Sequence, residues 1–487
     1  MTGRLKRLAA VLLLLLLTPA VRAHIGSLNV FFEGPAGPYP VRVTIVPPGV
    51  VPGLALIHVR VFSGKPEKVT VLPVRWNAGT RGAPPPDVAK LVPGETNLYT
   101  AQLWLMDSGS YSVFVDVAGP EGHGTAIVPI NSLALERLVM PRWKGIAFLA
   151  VGVFLFVLFV SIVGTAIRQA SLAPGSAPTR ANSVRAGIGM GIAGLIALGL
   201  VAFGNRWWGL DDKFFLTQRL YHSGSVTPEI HTDASGHQEL HVGLAKSGQF
   251  DRPPLVPDHE HLMHLFLIRS PGGDAFVHLH PLQTASNGFN TRLPAMPAGD
   301  YRLFADLTYE SGFSETLTNT LHIAESPVAG PSDAPTDADD SFDLSAPVPP
   351  GPVTLPGGFT LTPKFSEKLG VNQETTLRFE LNGADGSPAL LEPYLGMYGH
   401  LIIMRENGDV FTHLHPLGSI SMASQKLFAE REHAGYLANQ PLELLCAPAS
   451  RALSFPFAFP KAGRYQIWLQ VKLGGQVRTV GYAVMVE

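Results

Sequence analysis

Residues 264–281, HLFLIRSPGGDAFVHLHP, organise this sequence, because the same pattern recurs at residues 400–416 as HLIIMRENGDVFTHLHP. Each copy has two runs of apolar and β-branched residues on either side of a turn signal, Pro-Gly-Gly in the first copy and Asn-Gly in the second. This arrangement is typical of a β-hairpin. The sequence therefore predicts two equivalent hairpins, both rich in histidine.

The turn of each hairpin sets the pairing of its strands. Counting outward from the turn places the first histidine of each copy opposite the last, and side chains two positions apart on a strand share a face. Each hairpin is thus predicted to present three histidines on one face, namely His264, His278 and His280 in the first copy and His400, His413 and His415 in the second. Opposed side chains lie close enough to share one ion, and imidazole is a ligand for copper, zinc, iron or nickel.

The predicted histidine faces are otherwise apolar. They carry Phe266, Ile268 and Phe276 in the first copy and Ile402, Met404 and Phe411 in the second. Histidines set into an apolar surface can also be core residues that hydrogen-bond to the backbone. Both interpretations are open from the sequence, and the repetition of three histidines on one face favours a metal site.

The residues before each hairpin differ between the copies. Residues 258–263, DHEHLM, offer His259, Glu260 and His261 as additional donors to the first site, whereas the second copy has Met397 at the position of His261. Imidazole and carboxylate suit Zn²⁺ or Cu²⁺, and a thioether suits Cu⁺. We therefore expect the first site to have more ligands and the two sites to prefer different metals or oxidation states. The alternative for Met397 is the filling of an apolar gap.

The N-terminus has the pattern of a secretory signal peptide at residues 1–23, with basic residues, an apolar run and a Val-Arg-Ala cleavage site. Cleavage would make His24 the first residue, and its amine and ring nitrogen could then chelate copper. Residues 24–140 follow as short alternating segments broken by Pro and Gly, which predict a β-sandwich of immunoglobulin type. In the position of His24 and in this strand pattern the region resembles periplasmic copper-resistance β-sandwiches, and the resemblance implies a copper ligand at His24.

Two apolar stretches predict transmembrane helices at residues 143–167 and 186–206. The intervening loop, residues 168–185, holds three arginines and no acidic residue, so it is predicted to be cytoplasmic. Both flanking regions would then be periplasmic or otherwise extracytoplasmic. The sequence thus predicts a two-pass protein of the cell membrane.

The rest of the chain is predicted to contain two repeat domains. Residues 226–324 and 358–487 each contain one hairpin and a later strand with Ala-Gly, Tyr and an aromatic residue, and residues 325–357 form a Pro- and Asp-rich linker. The predicted fold class is therefore mainly β. It comprises three extracytoplasmic immunoglobulin- or cupredoxin-like β-sandwich domains and two transmembrane helices.

The two repeats resemble β-domains of uncharacterised bacterial secreted and membrane-attached proteins described as heavy-metal-binding. The resemblance depends on the His-Leu start, the tight turn, the His-x-His-Pro strand and the later Ala-Gly-x-Tyr strand of both copies. It implies metal binding by the hairpin histidines, and it covers about half of the chain.

Composition excludes several other classes. The formal net charge of −2 gives no reason to expect a nucleic-acid partner, and a single cysteine, Cys446, cannot form an intrachain disulfide. The sequence has no His-Glu-x-x-His, Gly-x-Ser-x-Gly or phosphate-binding loop.

We therefore expect a non-enzymatic membrane-anchored protein that captures, stores or delivers copper or zinc. Its expected partners are the lipid bilayer and a metal-transport or envelope protein. One alternative is a structural or assembly module of an envelope complex, in which the histidines bind no metal. A second is an enzyme, either a copper-dependent oxidase-like activity at His24 or a metal hydrolase with Glu260 as the base.

Overall fold

The structure, a computed structural model, describes residues 29–170, 172–173, 175–234, 236–245, 253–324, 337–366, 368–441 and 453–487. The predicted signal peptide, His24 and Cys446 lie outside these residues. The described chain forms two compact units, one containing residues 29–132 with 223–487 and the other containing residues 133–222. Antiparallel sheets make up most of the first unit, and two apolar helices make up most of the second. The predicted mainly β architecture with two apolar helices is thus confirmed.

Residues 29–132 form two antiparallel sheets around one core. The strands are β1 (Val30–Ala36), β2 (Tyr39–Val46), β3 (Gly53–Val61), β4 (Lys68–Arg75), β5 (Asp87–Val88), β6 (Lys90–Leu91), β7 (Leu98–Leu105), β8 (Gly109–Gly119) and β9 (Gly122–Ser132). Their orders are β1-β2-β3-β7-β6 and β5-β4-β8-β9. Alternation builds the core, since Ile57 and Val59 of β3 are fully buried while His58 between them is half-buried.

Residues 133–222 contain α1 (Arg142–Gln169) and α2 (Arg180–Phe214), followed by a π-helical turn at Phe215–Arg219. Within the described part of the chain, these two helices are long and apolar enough to cross a membrane. The second helix extends beyond the predicted span at both ends. Small residues let the helices approach closely, because a Cβ atom at Gly189 would collide with the side chain of Ile167.

The first repeat begins after the helices. Its strands are β10 (Val226–Thr232), β11 (Gln238–Leu244), β12 (His264–Ser270), β13 (Phe276–Leu279), β14 (Leu282–Ala285), β15 (Gly288–Arg292), β16 (Gly299–Thr308), β17 (Ser314–Ile323) and β18 (Ser341–Asp343). The orders of its two antiparallel sheets are β10-β11-β15-β14 and β17-β16-β12-β13-β18. The histidine hairpin, β12 and β13, is therefore inside the second sheet.

The second repeat has an equivalent arrangement. Its elements are β19 (Val353–Thr354), β20 (Thr360–Pro363), β21 (Thr375–Asn382), β22 (His400–Arg405), β23 (Phe411–Leu414), α3 (Met422–His433), β24 (Ser454–Phe457), β25 (Gly463–Leu473) and β26 (Gln476–Val486). The sheet orders are β19-β20-β21-β24 and β23-β22-β25-β26. The latter corresponds strand for strand to β13-β12-β16-β17 of the first repeat, which agrees with a duplicated β-domain.

Part of the segment predicted as a flexible linker forms a strand of the first repeat. In the described residues 337–357, β18 pairs with β13, so that Phe342 lies opposite Val277 and Ser341 lies opposite His278. This part of the prediction needs correction. The Pro- and Asp-rich composition did not reveal the short strand, which is ordered by pairing with the hairpin.

The histidine faces of the two repeats pack against each other. Phe304 stacks on Phe411 with ring centroids 4.0 Å apart, and Phe276 stacks on Trp468 at 5.0 Å. The buried cluster that joins the repeats contains Phe266, Ile268, Phe276, Phe304, Ile402, Met404, Phe411 and Trp468. Full burial of a large apolar side chain contributes about 1.5–3 kcal/mol, so this contact holds the two hairpins together.

The second repeat also packs against the N-terminal sheets. Phe428 of α3 lies in a buried cluster with Val74 of β4 and Phe114 of β8, and Nε2 of Gln425 donates to the backbone carbonyl of Ile127 at 2.7 Å. The three predicted β-domains are therefore packed into one unit, and the histidine hairpins lie within it.

Candidate metal centre

The hairpins have the register that their turns predict. Leu265 pairs with Leu279 in the first copy, and Leu401 pairs with Leu414 in the second. The first and last histidines of each copy flank these pairs, and their ring centroids are 5.0 Å apart in both copies. We call His264, His278 and His280 the first histidine group, and His400, His413 and His415 the second histidine group.

The ligand atoms of each group lie within 4.8 Å of one another. In the first histidine group the ring centroids of His264–His278, His264–His280 and His278–His280 are 5.4, 5.0 and 4.6 Å apart. The equivalent separations in the second group, His400–His413, His400–His415 and His413–His415, are 5.2, 5.0 and 4.6 Å. Metal–nitrogen bonds of about 2.0–2.1 Å in tetrahedral geometry would place ring centroids about 5 Å apart. Both groups have this spacing.

Hydrogen bonds around the first histidine group fix its tautomers. His264 donates through Nε2 to the carbonyl oxygen of Asp258 at 3.0 Å, and His278 donates through Nδ1 to Oε1 of Gln470 at 3.0 Å. His280 donates through Nδ1 to Oδ1 of Asp340 at 3.1 Å. All three partners are acceptors, so a neutral imidazole is left with its lone pair on the other nitrogen. We call these the inner nitrogens of the group.

The second histidine group repeats this pattern in part. His400 donates through Nε2 to the carbonyl oxygen of Tyr394 at 3.0 Å, and Nδ1 of His413 lies 3.4 Å from Oδ2 of Asp306. Both nitrogens of His415 are buried and have no hydrogen-bond partner among the described residues. The last histidine of the second group thus lacks the carboxylate that Asp340 provides in the first.

In both groups two inner nitrogens are in contact. Nδ1 of His264 is 3.2 Å from Nε2 of His278, and Nδ1 of His400 is 3.0 Å from Nε2 of His413. Each of these atoms carries a lone pair when the outer nitrogen of its ring bears the proton. Two lone pairs at this distance repel, unless a cation lies between them. Two nitrogens on one tetrahedral ion are about 3.3–3.4 Å apart, so the observed pairs fit a shared metal.

Burial favours the neutral form of the imidazoles of His264, His278, His280, His400 and His415. It lowers the pKa of His264, His278, His400 and His415 well below the ordinary value of 6.5, and the neighbouring histidines lower it further. Burial also lowers the pKa of His280, against the opposing effect of Asp340. Neutral imidazole is the form that binds metal, so the environment favours ligands over cations.

Two outer partners come from the opposite repeat. Gln470 of β25 bonds to His278 of the first repeat, and Asp306 of β16 faces His413 of the second. They occupy equivalent positions, because Asp306 pairs with His264 and Gln470 pairs with His400. Sequence reasoning missed both. The available signal was a polar residue at the same position of the corresponding strand in each copy.

The turn before the first hairpin does not place its donors as predicted. Asp258 and His261 are joined by reciprocal backbone hydrogen bonds, which leaves His259 and Glu260 in the left-handed region with φ of 50° and 72°. The ring of His259 lies nearer the second group, with centroids 4.6 Å from His415 but 6.1 Å from His264. Glu260 is exposed at the turn. The assignment of His259 to the first site therefore needs correction.

His261 remains with the first repeat. Its ring stacks on His280 at 4.0 Å, and its Nδ1 is 3.9 Å from Oδ2 of Asp337. These three residues form a further group whose ligand atoms lie within 4.8 Å of one another. Asp337 and Asp340 are site residues that the sequence reading missed, because they lie in the segment taken as a linker.

Met397 occupies the position equivalent to His261. Reciprocal backbone hydrogen bonds with Tyr394 form the same turn, and the Met397 side chain is buried beside Leu417 and Met422. This placement agrees with the gap-filling alternative for Met397.

Comparisons with known proteins do not assign a function. A family model described as "Domain of unknown function (DUF8832)" matches residues 224–325 and 356–487, which are the two repeats. No curated protein matches the chain.

Likeness to solved structures is weak. An alpha-2-macroglobulin mutant from Salmonella superposes with a TM-score of 0.19 and 9% identity, over 94% of this chain and 23% of that one. MtrC from Shewanella baltica superposes with a TM-score of 0.16 and 11% identity, over 61% of this chain and 71% of that one. Thus the chain spans about a quarter of the alpha-2-macroglobulin structure, and superpositions at this level do not establish a common fold. Both repeats match a single family model.

Proposed function

We propose that this chain is a membrane-anchored extracytoplasmic protein that binds copper or zinc at its two histidine groups. The observation that carries the proposal is the contact between inner nitrogens in each group, 3.2 Å in the first and 3.0 Å in the second. Outer acceptors hold the ring protons away from these contacts. A cation bound in each group would replace one lone-pair repulsion with two metal–nitrogen bonds.

The donor set favours a borderline transition metal. Three imidazoles suit zinc and copper, whereas calcium and magnesium prefer oxygen ligands. The carboxylate–histidine pair of Asp340 and His280 is the kind of outer partner that orients a ligand and raises its basicity. Nε2 of His280 is buried and has no hydrogen-bond partner within the described chain, so it has a free lone pair for the ion.

The proposed location depends on the two apolar helices. We place α1 and α2 across the bilayer with the arginine-containing loop in the cytoplasm, so that both β-rich parts are extracytoplasmic. We assign the β-domains to immunoglobulin- or cupredoxin-like sandwiches. Buried sites in an anchored protein suit the capture, storage or delivery of a metal to an envelope or transport partner.

Metal analysis of the full chain in detergent tests this function. After loading with Cu²⁺ or Zn²⁺ and removal of free ion, we expect one tightly bound ion for each histidine group. His280→Gln should remove the first ion, and His415→Gln should remove the second. His322→Gln is the matched control, because the His322 side chain is 70% exposed and its ring bonds to Asp300. A wild-type chain without bound metal would end the proposal.

A second candidate is a structural role for the histidines. The ring of His278 stacks on Phe266 with centroids 4.2 Å apart, so the histidines also contribute to the packing between the repeats. In an assembly module, metal would be absent while His278→Gln would still weaken the contact between the repeats. Metal content and the free energy of unfolding, measured on the same variants, separate the two functions.

A further inference from the structure

His259 is the one turn residue that crosses from the first repeat to the histidines of the second. Its ring centroid is 4.6 Å from that of His415 and 5.4 Å from that of His400. The first of these separations falls in the range of 4.6–5.2 Å found within the second histidine group, and the second is 0.2 Å beyond it. His261, by contrast, is stacked 4.0 Å from His280 and 5.9 Å from His264, which matches the spacing of shared ligands less well.

The nitrogens of His259 and His415 are available to a ligand. Nε2 of His259 is buried, and no described residue is within hydrogen-bond distance of it; the nearest carboxylate atom, Oδ1 of Asp258, is 3.8 Å away. That same oxygen accepts a hydrogen bond from the backbone of Ala423 at 3.0 Å. Buried polar atoms normally have partners, so unpaired nitrogens on two adjacent rings point to a missing shared partner.

We propose that His259 is the fourth ligand of the second histidine group, an inference that rests on the proposed function. The ion there would be held by His400, His413 and His415 of the second repeat and by His259 of the first. A site with four protein ligands is closed, in the manner of structural zinc sites, whereas a site with three keeps a position open. The second ion would therefore join the two repeats and exchange slowly, and the first would be the exchangeable one.

The chain supplies a matched substitution for this histidine. Leu395 is the equivalent residue in the second repeat, and it has φ of 51° where His259 has φ of 50°. A leucine is thus accommodated in this backbone conformation, and His259→Leu is expected to fold. His259→Asn is a second variant, because asparagine tolerates the left-handed region. His322→Gln is the control, since the His322 side chain is 70% exposed and its ring bonds to Asp300.

The test is a competition titration of the full chain in detergent with Zn²⁺ and a chelator. Loss of an outer partner typically lowers metal affinity about 10- to 100-fold. Loss of a direct ligand should therefore lower the Zn²⁺ affinity of one of the two sites by at least about 100-fold. We expect this effect in His259→Leu and His259→Asn and not in His322→Gln. In a His415→Gln background, which lacks the second ion, His259→Leu should have no further effect on the remaining ion.

A second measurement counts the ligands directly. With Cu²⁺ in the second site of a His280→Gln chain, electron paramagnetic resonance should show coupling to four nitrogens, and to three after His259→Leu. If His259→Leu leaves both Zn²⁺ affinities and the nitrogen count unchanged while the wild type binds two ions, this inference is wrong and the proposed function stands. If the wild type binds no ion, both are wrong.

Discussion

His278 of the first repeat donates through Nδ1 to Oε1 of Gln470 of the second repeat at 3.0 Å. Gln470 is fully buried, and its Nε2 donates to the hydroxyl of Ser341, which orients the amide. The ring orientation of a proposed ligand in one repeat therefore depends on a side chain of the other. Under the proposed function, this relationship makes metal binding by the first repeat depend on the second.

Replacing Gln470 should therefore weaken metal binding at the first histidine group. Gln470→Leu removes the acceptor that holds the His278 tautomer, and we expect Zn²⁺ affinity to fall about 10- to 100-fold in a chelator competition. Gln466→Leu is the matched control, because Gln466 lies on the same strand and spans the same contact by donating to the carbonyl of Gly272 at 2.6 Å. Equal losses in both variants would mean that the effect comes from the contact between repeats and not from the ligand.

Substitution of Asp340 should lower the metal affinity of the first site more than substitution of Asp337. Asp340→Asn removes the charge behind His280, and we expect Zn²⁺ affinity to fall about 10- to 100-fold while the fold is retained. Asp337→Asn should change affinity by less, because Oδ2 of Asp337 is 3.9 Å from His261, whereas Asp340 accepts a hydrogen bond from His280 at 3.1 Å. The reverse order of effects would show that His261, His280 and Asp337 hold the ion instead.

The metal-free protein should lose stability as the pH falls below about 6.5. The pKa values of His264, His278, His400 and His415 are lowered in the folded state, so the unfolded chain binds more protons below the ordinary value of 6.5. Their contribution is complete above that pH and is lost as the pH falls toward the folded-state pKa values, by up to about 1.4 kcal/mol per pH unit for each histidine. Urea unfolding between pH 8 and pH 5 in the presence of a chelator measures this loss, and a flat profile would contradict it.

The apolar contact between the repeats should be needed for stability. Phe411→Ala removes a fully buried ring that stacks on Phe304, and it should lower the free energy of unfolding by about 3–5 kcal/mol. Phe342→Ala is the control, because Phe342 is 45% exposed and should cost much less. Chemical denaturation followed by tryptophan fluorescence compares the two. A small loss for Phe411→Ala would show that the repeats are not held by this cluster.

Local sequence patterns determined much of the structure. A strand has a side-chain period of two residues, and the turn fixes the register, so the three histidines of each hairpin could be placed on one face without tertiary information. The same holds for the apolar positions beside them. The two apolar helices followed from length and composition alone.

Only the tertiary structure decided how these parts combine. The apolar face of a hairpin indicates that another part of the protein covers it, but its residue pattern does not identify that part. The packing of one hairpin on the other therefore could not be predicted. For this reason the sequence assigned His259 to the first site, whereas packing brings it to His415 of the second. Gln470 and Asp306 were missed because their partners belong to the opposite repeat. Thus the sequence determined which residues share a face, and the docking of the two faces determined which residues share a site.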